Sequence, residues 1–149
     1  MKKELIFLTK NIIIASDHAG YPLKELIKKE LKKMNLNILD LGTSNKSISV
    51  DYPFYAKKLS KKINSKNMGV LVCGSGIGMC IASNRFKNVR SALINSKKSS
   101  ILSRQHNDAN VMCLGARLTP NKIAIQSVFT FLTTKFEGGR HSKRVKLLN

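Results

Sequence analysis

Short, continuously apolar runs take turns with longer stretches in which apolar residues recur every three or four positions. Residues 10–16 are a β-branched run, Lys10-Asn11-Ile12-Ile13-Ile14-Ala15-Ser16, which predicts a strand. Behind Pro22, Leu23, Leu26, Ile27, Leu31 and Met34 share one helical face. The alternation continues with strands predicted over 37–41, 69–72, 89–94 and 111–114, and helices over 53–64, 77–86, 96–105 and 120–134. Asn95 or Ser96 and the Thr119-Pro120 step are suitable helix starts.

Strands that are apolar throughout are buried on both faces, which a parallel sheet between two helical layers provides. The expected fold is therefore α/β, a doubly wound five-stranded parallel sheet in the order 2-1-3-4-5 with helices on both faces. Residues 1–149 are expected to form a single domain, with 1–9 as an N-terminal extension. A turn at Glu137-Gly138-Gly139-Arg140 precedes a basic C-terminal segment, 137–149.

A chain of 149 residues can bury a sizeable core without disulfide staples. No apolar run approaches the roughly 20 residues of a membrane span, and Lys10 and Asn11 interrupt the start before a secretory core forms. The expected location is cytoplasmic. The three cysteines, Cys73, Cys80 and Cys113, form no CxxC pair and suit a reducing compartment. A net charge of +19 raises the question of a nucleic-acid partner. Lys28, Lys29, Lys32, Lys33, Lys57, Lys58, Lys61 and Lys62 are, however, spread along outer helix faces, so solvated faces are expected instead.

In such a sheet ligands bind beyond the carboxyl ends of the strands where the winding reverses, here between strands 1 and 3. Ser16-Asp17-His18-Ala19-Gly20 follows the first of these strands and Cys73-Gly74-Ser75-Gly76-Ile77-Gly78 the other. A glycine-rich turn into a helix leaves main-chain N–H groups free for an anion. A dinucleotide fingerprint would follow the first strand rather than the third. A cysteine-based phosphatase would need arginine where Met79 stands. Cys73 sits at the head of a helix, where peptide dipoles favour an anionic sulfur, whereas Cys80 and Cys113 read as inert buried cysteines.

His18, His106 and His141 lie in polar segments without HxH or HExxH spacing, which suits phosphate binding and proton transfer better than a metal. No metal or other cofactor is expected. Six arginines stand in a chain that otherwise uses lysine: Arg85, Arg90, Arg104, Arg117, Arg140 and Arg144. Arg140 and Arg144, four apart, share a face if their segment is helical and could clamp one phosphate.

Taken with Asp51-Tyr52-Pro53, Ser103-Arg104-Gln105-His106-Asn107-Asp108 and the Gly138-to-Val145 block, these segments resemble ribose-5-phosphate isomerase type B over residues 11–146. The related galactose-6-phosphate isomerase subunits lack the combination of Asp17-His18 with Gln105-His106-Asn107. The resemblance implies aldose–ketose isomerisation of D-ribose 5-phosphate and D-ribulose 5-phosphate through a cis-enediolate, in the pentose phosphate pathway. It implies Cys73 as thiolate base, at a site where some members use a glutamate in place of Met79. Ser75 and the N–H groups around Gly74, Gly76, Ile77 and Gly78 would stabilise the enediolate oxygen, and His106 would open the furanose ring. Asp17 and Asn107 would hold sugar hydroxyls, Tyr52 would contact substrate, and His18, Arg117, Arg140 and Arg144 would hold the phosphate.

Two other readings stay open: allose 6-phosphate as the substrate, or a non-catalytic phosphate- or nucleic-acid-binding protein of the same fold. His106 and Asn107 follow helix 4 and precede strand 5, so they fall at the sheet edge opposite Cys73. If both serve one site, a second subunit must supply His106, which predicts a homodimer, or a dimer of dimers, with shared sites.

Overall fold

Continuous apolar runs occupy the middle of the sheet. In the computed structural model, which describes residues 5–148, β1 (Asn11–Ser16), β3 (Met68–Cys73) and β5 (Val111–Gly115) are buried almost end to end. The shorter β2 (Asn37–Asp40) and β4 (Ser91–Leu93) are partly exposed. All pairings are parallel, in the order β2-β1-β3-β5-β4.

The expected order 2-1-3-4-5 is thus corrected in its last two strands. The three residues Ser-Ala-Leu of β4 have little apolar surface to cover and suit an edge, whereas Val-Met-Cys-Leu-Gly of β5 needs a neighbour on each side and a layer on each face. Because β4 lies beyond β5, the connections into and out of it run in opposite directions, and right-handed crossovers then put their helices on opposite faces.

α2 (Tyr52–Ser60) and α3 (Ile77–Ser83) cover one face, where Ala56, Leu59 and Met79 pack on Ile13, Ala15, Leu71 and Cys113. α1 (Tyr21–Lys32) and α5 (Asn121–Thr133) cover the other, with Leu23, Ile27, Val128 and Phe131 on Ile12, Ile14, Val70 and Met112. α4 (Lys97–Asn107) packs beside α5, where the Ser100 hydroxyl donates to the Ser127 carbonyl at 2.7 Å. Ser96 is its N-cap, in a reciprocal box with Ser99.

α2 and α3 stop earlier than the apolar spacing suggests. The Asn88 amide donates to the carbonyls of Ser60 and Ile63 at 2.8 Å, and Asn84 pairs with both backbone groups of Ser91, in effect extending the edge strand rather than the helix. The basic C-terminal segment forms α6 (Arg140–Lys146), packed against α4. Of the N-terminal piece, Phe7 and Leu8 join the α1/α5 core, and the Leu8 N–H donates to the Leu132 carbonyl; residues 1–4 lie outside the described residues. No helix among the described residues is long and apolar enough to cross a membrane.

Candidate active site

Three loops leave the carboxyl edge of the sheet and are locked to one another by their backbones. The Asp17 N–H donates to the Val72 carbonyl at the end of β3, and Gly20 lies so close to that carbonyl that any side chain would strike it. The Asp17 carboxylate is itself fixed, Oδ1 accepting the Gly20 N–H at 2.9 Å. After β5, the Ala116 and Arg117 N–H groups donate to the carbonyls of Cys73 and Gly74 at 2.8 and 3.0 Å. A Cβ on Gly115 would stand 2.5 Å from the Ser75 carbonyl oxygen, so the two loops touch backbone to backbone.

Within the middle loop Gly76 takes the left-handed conformation, φ +77°, and turns the chain into α3. That turn aims the Gly76 N–H at the Cys73 sulfur, 3.1 Å away, and the Ser75 hydroxyl accepts the Ile77 N–H at 3.3 Å. The Tyr52 ring lies over Gly78 and the Arg117 guanidinium over Gly74, each in space that a side chain there would fill. Asp17, Tyr52, Cys73, Gly74, Ser75, Gly78 and Arg117, with Leu118, line a cleft of about 300 Å³ at the predicted switch point. Nearby, the His18 Nδ1 accepts the Val50 N–H at 3.1 Å, which leaves Nε2 as the ring's donor.

The remaining predicted residues gather elsewhere. His106 and Asn107 end α4, and Arg140 and Arg144 project from α6 beside them. The six residues of β3 separate this amino edge from the Cys73 loop by roughly 17 Å of strand. The His106 ring stacks on that of His141, centroids 4.3 Å apart and planes within 12°. His141 is buried, with Nε2 3.6 Å from the Glu137 carboxylate. Burial, then the charges of His106 and Arg140, lowers the His141 pKa, while Glu137 opposes them.

His106, Glu137 and His141 offer ligand atoms within 4.8 Å of one another. Two nearly parallel imidazoles nevertheless present their in-plane lone pairs side by side instead of converging on one ion. Glu137 and the packing role of His141 were absent from the predicted site; Glu137 precedes α6, so its spacing of four from His141 marks no helical face in the sequence.

Fold and cleft together define an α/β protein with a site of small-metabolite size at the switch point of its sheet. The profile of the family described as Ribose/Galactose Isomerase matches residues 12–148. A Mycoplasma genitalium protein named "Probable ribose-5-phosphate isomerase B" is 43% identical over 138 residues, covering 91% of each chain. The solved ribose 5-phosphate isomerase B of Anaplasma phagocytophilum superposes with a TM-score of 0.94 at 42% identity, over 97% of this chain and 99% of that one. The Mycoplasma genitalium enzyme with bound ribulose-5-phosphate superposes at 0.86 and 42% identity, over 93% of both chains. The chain belongs to the ribose/galactose isomerase family.

Proposed function

We propose that the protein interconverts D-ribose 5-phosphate and D-ribulose 5-phosphate in the cytoplasm, as a step of the pentose phosphate pathway, at two sites shared within a homodimer. Family membership makes it an aldose–ketose isomerase. The observation that carries the assignment of roles is the Cys73 sulfur at the floor of the switch-point cleft, with a main-chain donor and a hydroxyl beside it.

Cys73 as thiolate takes the proton from C2 of the open-chain aldose. Negative charge then collects on O1 of the cis-enediolate. Return of the proton to C1, with transfer of the O2 hydroxyl proton to O1, gives the ketose. Ser75 accepts the Ile77 N–H and so keeps its own proton to donate to the enediolate oxygen. Asp17, anchored by Gly20, faces the sugar hydroxyls, and Arg117 and His18 Nε2 meet the phosphate.

The partner subunit supplies the groups of the amino edge: His106 to open the furanose ring, Asn107 to hold a hydroxyl, and Arg140 and Arg144 to complete the phosphate site. Around the cleft Tyr52, Ile77, Ile81, Leu93 and Leu118 are exposed, an apolar rim that a partner would cover. The solved relative that holds ribulose-5-phosphate supports a five-carbon substrate over allose 6-phosphate.

The experiment is turnover of both sugar phosphates by wild type and C73A. kcat/KM is expected to favour ribose 5-phosphate, and C73A to lose on the order of a thousandfold in kcat. Unchanged turnover by C73A would remove the thiolate base, and preference for allose 6-phosphate would reassign the substrate.

A further inference from the structure

Two sulfurs that the proposed reaction does not use meet at one residue, Ser91, between α3 and the edge of the sheet. Cys113 lies in β5 and is fully buried; Cys80 sits on the flank of α3 that faces β4 and is only half-buried, not the inert core cysteine its sequence context suggests. Ser91 joins them, its hydroxyl 3.0 Å from the Cys113 sulfur and its carbonyl oxygen 3.6 Å from that of Cys80. The Asn84 amide also reaches the Cys80 sulfur at 3.6 Å while donating to the Ser91 carbonyl at 2.8 Å. The buried Met79 and Ser83 hold the same helix against the sheet, so the arrangement is fixed on both sides.

A hydrogen bond from the Cys113 thiol, helped by Ser91, the Leu93 N–H and Asn84, outweighs the cost of burial and lowers the Cys80 pKa to about 6. Burial raises that of Cys113 well above the ordinary thiol value. Of the two sulfurs Cys80 is therefore both the more acidic and the more accessible.

We propose that Cys80 and Cys113 form an oxidisable dithiol, separate from Cys73, that a peroxide converts into an intrachain disulfide pinning α3 to β5. The Cys80 thiolate attacks the peroxide, the O–O bond breaks, and Cys80 becomes a sulfenic acid as the alkoxide or hydroxide leaves and is protonated by solvent. The Cys113 sulfur then attacks the Cys80 sulfur; the S–O bond breaks, and the departing hydroxide takes the Cys113 proton as water. Two thiols lose two electrons and one peroxide gains them. The inference is independent of the substrate assigned above.

The test treats the full-length protein with hydrogen peroxide, blocks the remaining thiols with iodoacetamide and maps unreduced peptides by mass spectrometry. The expected product lacks two hydrogens, carries a Cys80–Cys113 crosslink and is restored by dithiothreitol. C113S should instead accumulate a Cys80 sulfenic acid that dimedone traps, and C80S should form no crosslink. Both variants should retain turnover, which reports that they are folded. Recovery of Cys80 and Cys113 as alkylated thiols after Cys73 has oxidised, or a crosslink that includes Cys73, would overturn the proposal.

Discussion

Gly78 shows how the cleft depends on single atoms. A Cβ there would stand 2.5 Å from the Tyr52 Cζ, so the ring can close one wall only over a residue without a side chain. Alanine is favoured over glycine in a helix by up to about 1 kcal/mol, so G78A should fold as well as wild type. Its kcat/KM should fall at least roughly tenfold as the ring is displaced from the cleft. Urea midpoints measured beside steady-state kinetics separate the two effects. The Cys73 loop was legible in the sequence because a strand, a glycine-rich turn and a helix follow one another locally. Glu137 and the stacked face of His141 were not, because they acquire meaning only when α6 folds back on α4.

Between elements, α1 is riveted to β2 by a lysine that composition alone assigns to solvent. Lys24 is buried, its ammonium held by both Asp40 oxygens at 2.7 and 2.8 Å and by the Thr43 carbonyl at 2.7 Å. Lys28, expected on a solvated face, is mostly buried too and pairs with Glu25 and Asp40. K24M leaves a part-buried carboxylate with one cation fewer and should cost about 3 kcal/mol, read from urea midpoints. At Asp40 burial favours the neutral acid, but hydrogen bonds from Lys24, Lys28 and the Gly42 N–H win and hold its pKa below 3.8.

The unfolded chain therefore binds that proton more readily than the folded one. Ionised Asp40 contributes its full stability above about pH 4, and the contribution is lost as pH falls through the folded pKa. The stability gap between wild type and D40N should stay level from about pH 8 to 5 and shrink below about pH 4. A gap independent of acid would contradict it. Helix and strand identities were readable from spacing, but the exchange of β4 and β5 was not: it turns on which strand can bear an open edge, a comparison between strands far apart in the chain.

At the scale of the whole molecule, the two halves of the predicted chemistry stand on opposite edges of one sheet. That separation was deducible beforehand, since a helix antiparallel to its strands must deliver its last residues to their amino ends. The structure adds that α4 lies on the face of α1 and α5, and that α6 brings Arg140 and Arg144 to the same edge as His106. One chain therefore offers a thiol cleft without His106, Arg140 and Arg144, together with an edge that carries those three residues without the thiol. Mixing C73A with H106N subunits, after dissociation and reassociation, tests the shared site directly. Each variant alone should be inactive. Every mixed dimer contains one site with both lesions and one with neither, so random pairing should restore about a quarter of wild-type turnover. A mixture no more active than its separate components would contradict a site built by two subunits.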